Sequence, residues 1–178
     1  MNIKGLTNEI RLITNVLKKD KIIFTNLKSK VVWDNSINSR KTASFGTPYN
    51  YSGIEYEISR IPAFFDELIE IVIKTNHFAP NNCLVNYYFD NKSKMGFHSD
   101  QIDILSENTG VAIFSFGSKR TMRFKNKINN ELIYDVVLEN NSYFYMSQNS
   151  QIDWLHSILP DKDEVNVERF SVTLRKIK

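Results

Sequence analysis

Among the three histidines of this 178-residue sequence, one stands in Met95-Gly96-Phe97-His98-Ser99-Asp100-Gln101, two residues before an aspartate. On an extended strand, positions i and i+2 face the same way, so His98 and Asp100 project together and Ser99 turns aside. An imidazole and a carboxylate aimed at one point can share a metal ion; taken alone, the pair reads equally well as a polar turn. His156, in the strand-like run Asp153-Trp154-Leu155-His156-Ser157-Ile158, supplies another imidazole far along the chain. Two histidines and a carboxylate on one side of an ion leave the other side open, as in non-haem Fe(II) oxygenases. A closed zinc site would want a fourth ligand, usually a thiolate, and the single cysteine, Cys83, lies beside none of the three. No G-x-S-x-G elbow occurs and Ser99 faces away from its neighbours, which argues against a Ser-His-Asp hydrolase.

An oxygenase of this kind draws two electrons from a dicarboxylate co-substrate, which cations must hold. In Arg169-Phe170-Ser171-Val172-Thr173-Leu174-Arg175 the arginines are an even number of residues apart and share a strand face, with Phe170, Val172 and Leu174 on the other. Arginine suits bidentate carboxylate binding, and an apolar face packed against another layer would turn both guanidinium groups inward. Asn86 and Tyr88 repeat the spacing and offer an amide and a phenol to carboxylate oxygens.

The elements that must position these groups change character near residue 80. Before it, residues 61–72 predict a helix with Pro62 in its first turn and apolar residues at Phe64, Phe65, Leu68, Ile71 and Val72. Residues 10–31 hold at least one helix, with Ile10, Ile13 and Leu17 on one candidate face and Ile23, Leu27 and Val31 on another. After it come short β-branched and aromatic runs at 83–89, 111–116, 121–125, 132–138, 142–146 and 168–177, separated by turn residues. That order predicts an α+β fold: a jelly-roll core with the N-terminal helices packed on one sheet. The length fits one domain, residues 1–178. One cysteine, no apolar h-region and no membrane-length apolar run predict a soluble, cytoplasmic protein. The net charge of +3 identifies no polyanionic partner by itself, although Lys119, Arg120, Arg123, Lys125 and Lys127 form a basic group.

The ordered set resembles the AlkB-type Fe(II)- and 2-oxoglutarate-dependent dioxygenases, in the nucleic-acid-repair branch. From about Trp33 to Lys176 it presents, in that family's order, Asn86-x-Tyr88, His98-x-Asp100, the SFG-x-x-R stretch from Ser115 to Arg120, Trp154-Leu155-His156, and Arg169 to Arg175. The resemblance implies a double-stranded β-helix with residues 1–80 as helices and a substrate-recognition lid and residues 81–178 as the catalytic core. It implies Fe(II) on His98, Asp100 and His156, and O2 and 2-oxoglutarate as co-substrates. Arg169 and Tyr88 would hold the distal carboxylate, and Arg175 with Asn86 would lie near the other. Ser171 stands where the family usually has Asn.

Oxidative demethylation of alkylated DNA or RNA bases follows from the same resemblance, with release of succinate, CO2 and formaldehyde by a monomer. The lid is Arg40 to Gly46 followed by Pro48 to Gly53. Phe45, Tyr49, Tyr51 and Trp154 are candidates for stacking on a flipped base, and Arg40, Lys41, Lys119, Arg120 and Arg123 for contacting phosphates. Two positions beyond Asp100, where repair members commonly carry an acid, stands Ile102. That departure motivates an alternative substrate: a small metabolite, an amino acid or a protein side chain. A non-catalytic jelly-roll binding module is the reading from outside enzymology.

Overall fold

The computed structural model describes residues 3–49, 56–161 and 168–178. Its elements in chain order are helix α1 (Ile3–Glu9), strand β1 (Ile10–Thr14), α2 (Asp20–Lys30), β2 (Lys41–Gly46), a 3-10 turn (Ala63–Phe65) running into α3 (Asp66–Asn76), β3 (Asn82–Tyr88), β4 (Met95–His98), β5 (Gly110–Gly117), β6 (Arg120–Asn126), β7 (Ile133–Leu138), β8 (Ser142–Ser147), α4 (Gln148–Asp153), β9 (Trp154–Ile158) and β10 (Arg169–Arg175). The strands form a six-stranded sheet in the order β1-β8-β5-β10-β3-β2 and a four-stranded sheet in the order β4-β9-β6-β7. Every pairing between these strands is antiparallel. This is the expected jelly-roll with helices on one face.

Two apolar layers hold it together. On the outer face of the larger sheet, Ile23 and Leu27 of α2 and Leu68 and Val72 of α3 pack with Cys83, Val85, Phe114, Phe170, Val172 and Leu174. Between the sheets lie Leu84, Ile113, Met122, Phe124, Phe144, Trp154 and Ile158. Each fully buried Leu, Val or Phe contributes about 1.5–3 kcal/mol, so helix packing and sheet closure both stabilise the frame of the site. Strand β10, between β5 and β3, is buried along its whole length. Its apolar residues face the helices and its polar residues face the space between the sheets.

The structure corrects three expectations about elements. Ile10–Thr14 is an edge strand on β8 rather than a helix, so Ile10 and Ile13 share no helical face with Leu17; its β-branched residues fit a pleat better than a helical turn. The helix expected over 61–72 begins as a 3-10 turn after Pro62 and continues to Asn76, closing on His77 in the left-handed conformation at φ 58°. Lys41–Gly46, assigned to the lid, is a strand of the larger sheet paired with β3. Gly46 ends it at φ +78°, where a Cβ would sit 2.1 Å from the Asn81 carbonyl oxygen. The chain turns there toward Tyr49.

Candidate metal centre and co-substrate pocket

The pairing of β4 with β9 puts His98 directly opposite His156, with ring centroids 4.2 Å apart. Asp100 follows two residues past the end of β4, and its Oδ2 lies 3.7 Å from His156 Nε2. One donor atom from each of the three comes within 4.8 Å of the others. Asp100 and His156 are buried and His98 is half-buried, so the cluster has one open side. The His98 Nδ1 position, 2.9 Å from the Gly96 carbonyl oxygen, orients the ring and leaves Nε2 for a metal. The Asp100 backbone N–H donates to Gln151 Oε1 at 3.0 Å.

The electrostatics prepare these groups to bind a cation. Burial lowers the His156 pKa to about 3, reinforced by His98, and burial likewise lowers that of His98. Burial alone would push the Asp100 carboxyl up, but Arg175, His156 and His98 outweigh it and hold it at about 2. Above pH 6.5, where free imidazole is about half protonated, Asp100 and His156 are already in the form a metal requires, and burial moves His98 the same way. Fe(II) binding is therefore expected to release fewer protons than two free imidazoles would between about pH 6.5 and 8. Calorimetry in two buffers of different ionisation enthalpy measures this; release near one proton per iron at pH 6.5 would show that the histidines titrate normally.

Around the cluster, β10 and β3 present their inward faces in register, with Arg169 opposite Tyr88, Ser171 opposite Asn86 and Arg175 opposite Asn82. Arg175 donates to Asp100 Oδ1 through NH2 at 2.5 Å and Nε at 3.1 Å. Its amide neighbour is Asn82, 3.5 Å from NH1, and Asn86 instead accepts from Arg40 Nε at 2.8 Å. The sequence reading missed Asn82, although it shares the parity of Asn86 on the same strand.

Arg169 is 0% exposed. One nitrogen donates to Ser115 Oγ at 2.9 Å and the guanidinium lies 5.0 Å from the Tyr88 ring centroid, while Nε and NH1 have no hydrogen-bond partner. A buried cation with orphaned donors is costly unless an anion completes it. A carboxylate does so, and the cavity between the sheets joins Arg169 to the three metal-type donors.

The remaining expected residues scatter. Tyr49 comes to the cluster: its hydroxyl donates to Asp100 Oδ1 and accepts from the Gln101 N–H, both at 3.2 Å, and Arg175 lies 4.2 Å from its ring centroid. Tyr51 lies outside the described residues. Phe45 is opposite Cys83 in the β2–β3 register and packs near Phe65 in the helix layer, on the far side of the sheet from the cavity. Trp154 is 0% exposed within the inter-sheet core, with no ring face for a base. Arg40 and Arg120 are 5% and 2% exposed; Arg40 holds Asn86, and Arg120 donates to the Asp90 and Asn91 carbonyls. Neither presents its charge to a phosphate. Arg123 spends its own on Asp135 at 2.7 Å.

Comparison with known proteins agrees with this geometry. The model of the 2OG-Fe(II) oxygenase superfamily matches residues 10–175. The chain therefore belongs to that superfamily of Fe(II)- and 2-oxoglutarate-dependent oxygenases. Within it the chain is AlkB-like. It is 29% identical over 149 residues to the mouse alpha-ketoglutarate-dependent dioxygenase alkB homolog 3, covering 78% of this chain and 51% of the mouse protein. It is 32% identical over 97 residues to the uncharacterised protein R406 of Acanthamoeba polyphaga mimivirus, covering 54% and 50%. The chain thus spans about half the length of these relatives. The solved structure of OsALKBH1 superposes with a TM-score of 0.70 at 16% identity, over 94% of this chain and 98% of that one, which is a likeness of fold. No helix among the described residues is long and apolar enough to cross a membrane.

Proposed function

We propose that this dioxygenase removes alkyl groups from bases of DNA or RNA. The observation that carries the reading is a buried donor set open on one side, overhung by Tyr49 from the segment after β2. A base in a duplex reaches such a buried site only by leaving the stack. Similarity to alkB homolog 3 supports the same reading.

His98, Asp100 and His156 would hold Fe(II), and Arg169 with Tyr88 the distal carboxylate of 2-oxoglutarate. When bound, these supply oxidation of the N-methyl group: one oxygen atom of O2 enters succinate as CO2 leaves, the other enters the methyl, and the hydroxymethyl breaks down to formaldehyde and the free N–H. The protein's share is orientation and exclusion of water. Arg175 clamps Asp100 so that one carboxylate oxygen stays directed at the histidines. Ser115 and the Tyr88 ring hold Arg169 ready before the co-substrate arrives. Tyr49, its hydroxyl pushed up to about 12 by burial and then by Asp100, remains a neutral donor at every physiological pH. The same reading has the 178 residues act as one domain, as a monomer, in the cytoplasm.

A second reading keeps the chemistry and changes the substrate to a small metabolite, an amino acid or a protein side chain. What favours it is the half-buried Ile102, an apolar side chain that accepts no hydrogen bond from a base and balances no cationic methylated one. Mass spectrometry of methylated oligonucleotides and nucleosides incubated with Fe(II), 2-oxoglutarate and ascorbate separates the two. Formaldehyde and the repaired base are expected; succinate formation with every methylated base untouched would favour the second reading.

A further inference from the structure

Phe97 precedes His98 on β4, so as His98 turns toward the cavity, Phe97 turns to the outer face of the smaller sheet. It is 41% exposed, and Lys125 Nζ of β6 lies 4.7 Å from its ring centroid. Next along the rim, Lys127 Nζ donates to Ser99 Oγ at 3.1 Å and to the Gln151 carbonyl at 2.7 Å. Lys127 is close enough to the cluster to help keep His156 neutral. Its backbone N–H donates to the Asp153 carbonyl, and the residues next to that bond, Ile128 and Ile152, are 84% and 55% exposed. Neither lysine makes a salt bridge among the described residues. Beside the metal-type donors, the outer side of the smaller sheet, the segment that follows β6 and the end of α4 therefore present an exposed aromatic ring, two cations and exposed aliphatic side chains.

We propose that this rim is a track for single-stranded nucleic acid, on which a base flanking the target stacks on Phe97 while neighbouring phosphates meet Lys125 and Lys127. The inference rests on the nucleic-acid reading above and gives it a substrate form. The charge decides the occupant: two lysines without carboxylate partners complement a polyanion, and an accessible ring selects bases whose faces are free. When Lys125 exchanges its ring contact for a phosphate oxygen, it uncovers the ring for a base and keeps a partner. A duplex buries its base faces and cannot use the platform. The arginines first expected to meet phosphates are committed inside the fold or to Asp135.

Fluorescence anisotropy tests the track with a labelled, unmodified single strand about ten nucleotides long, within the range of single-strand site sizes, made as DNA and as RNA, beside the corresponding duplex. Wild type is expected to prefer the single strand, with the DNA and RNA arms reporting which sugar it favours. Phe97→Ala should weaken binding on the order of 10-fold. Lys125→Ala and Lys127→Ala should each reduce the slope of log K against log salt by about 0.7. Fe(II) titration of each variant verifies that the fold survives, and the lysine variants carry the test if Phe97→Ala does not. The track is overturned if all three bind as wild type does, or if wild type prefers duplex or binds neither form. Unaltered strand binding by the variants, with methylated nucleosides still demethylated by wild type, removes the track alone. Weakened strand binding by the variants, with no methylated base acted on by wild type, removes the demethylase reading alone.

Discussion

Arg169→Met is expected to raise the KM for 2-oxoglutarate by about 100-fold or more and, in the same protein, to raise the melting temperature without ligand. The first effect follows from deleting a charge-assisted, two-pronged carboxylate contact; truncating one partner of a buried charged pair costs roughly 2–5 kcal/mol. The second follows from the state of Arg169 before the co-substrate binds. Its guanidinium is sealed from water, with two nitrogens unpartnered, and burial lowers its pKa, the sign of a cation held where its charge is disfavoured. Methionine fills much of the same volume with no charge to desolvate, and such replacements gain about 1–4 kcal/mol. At roughly 2–4 °C per kcal/mol for a domain of this size, the shift is several degrees. Wild type should then gain about 2.7 kcal/mol from 2-oxoglutarate at one hundred times its Kd, and the variant no more than about 0.4 kcal/mol at the same concentration. A variant less stable than wild type, or one stabilised by 2-oxoglutarate as much as wild type, would sink the assignment.

Asp100→Ala should abolish Fe(II) binding and also cost about 3–5 kcal/mol of stability without metal, since removing one member of a buried ion pair strands the other. The stranded group is Arg175, 4% exposed, left with Asn82 at 3.5 Å and the Tyr49 ring. His98→Ala makes the contrast. It deletes a ligand from a half-buried position and strands no charge, so it should lose metal with a much smaller change in stability. Urea denaturation with anaerobic Fe(II) titration measures both quantities. The double variant Asp100→Ala, Arg175→Met should regain most of the stability and none of the metal affinity. If it remains as unstable as Asp100→Ala, the Asp100–Arg175 pair is not what holds this end of the sheet.

His98 and Asp100 were legible as a pair because two residues of separation is local, although Asp100 lies beyond the end of β4; His156, far along the chain, was added by residue type and by the order of the motifs. A two-residue strand period put Arg169, Ser171 and Arg175 on the cavity face of β10. Phe45 was misplaced because parity along β2 says only which residues share a face. Which face meets the cavity is set by pairing with β3, where Phe45 lies opposite Cys83. Arg120 was a candidate for phosphate contact and Trp154 for stacking on a base because nothing local distinguishes a phosphate-facing arginine from one that bonds the carbonyls of Asp90 and Asn91, or a stacking indole from one sealed between two sheets. The contact of Tyr49 with Asp100 joins residues 51 positions apart, beyond the reach of any periodicity.

The central place of β10 governs how the enzyme comes into being. Seven residues that follow almost everything else in the fold must insert between β3 and β5, bonding to partners some fifty to ninety positions earlier. Until they leave the ribosome, both neighbours expose bare hydrogen-bonding edges, and long-range pairing of this kind is slow. Arg169, proposed for the co-substrate, and Arg175, which steadies Asp100, arrive together in that step. A nascent chain lacking β10 has all three metal-type side chains but not the guanidinium that fixes the Asp100 carboxylate, so the donor set is completed only when the last strand is in place.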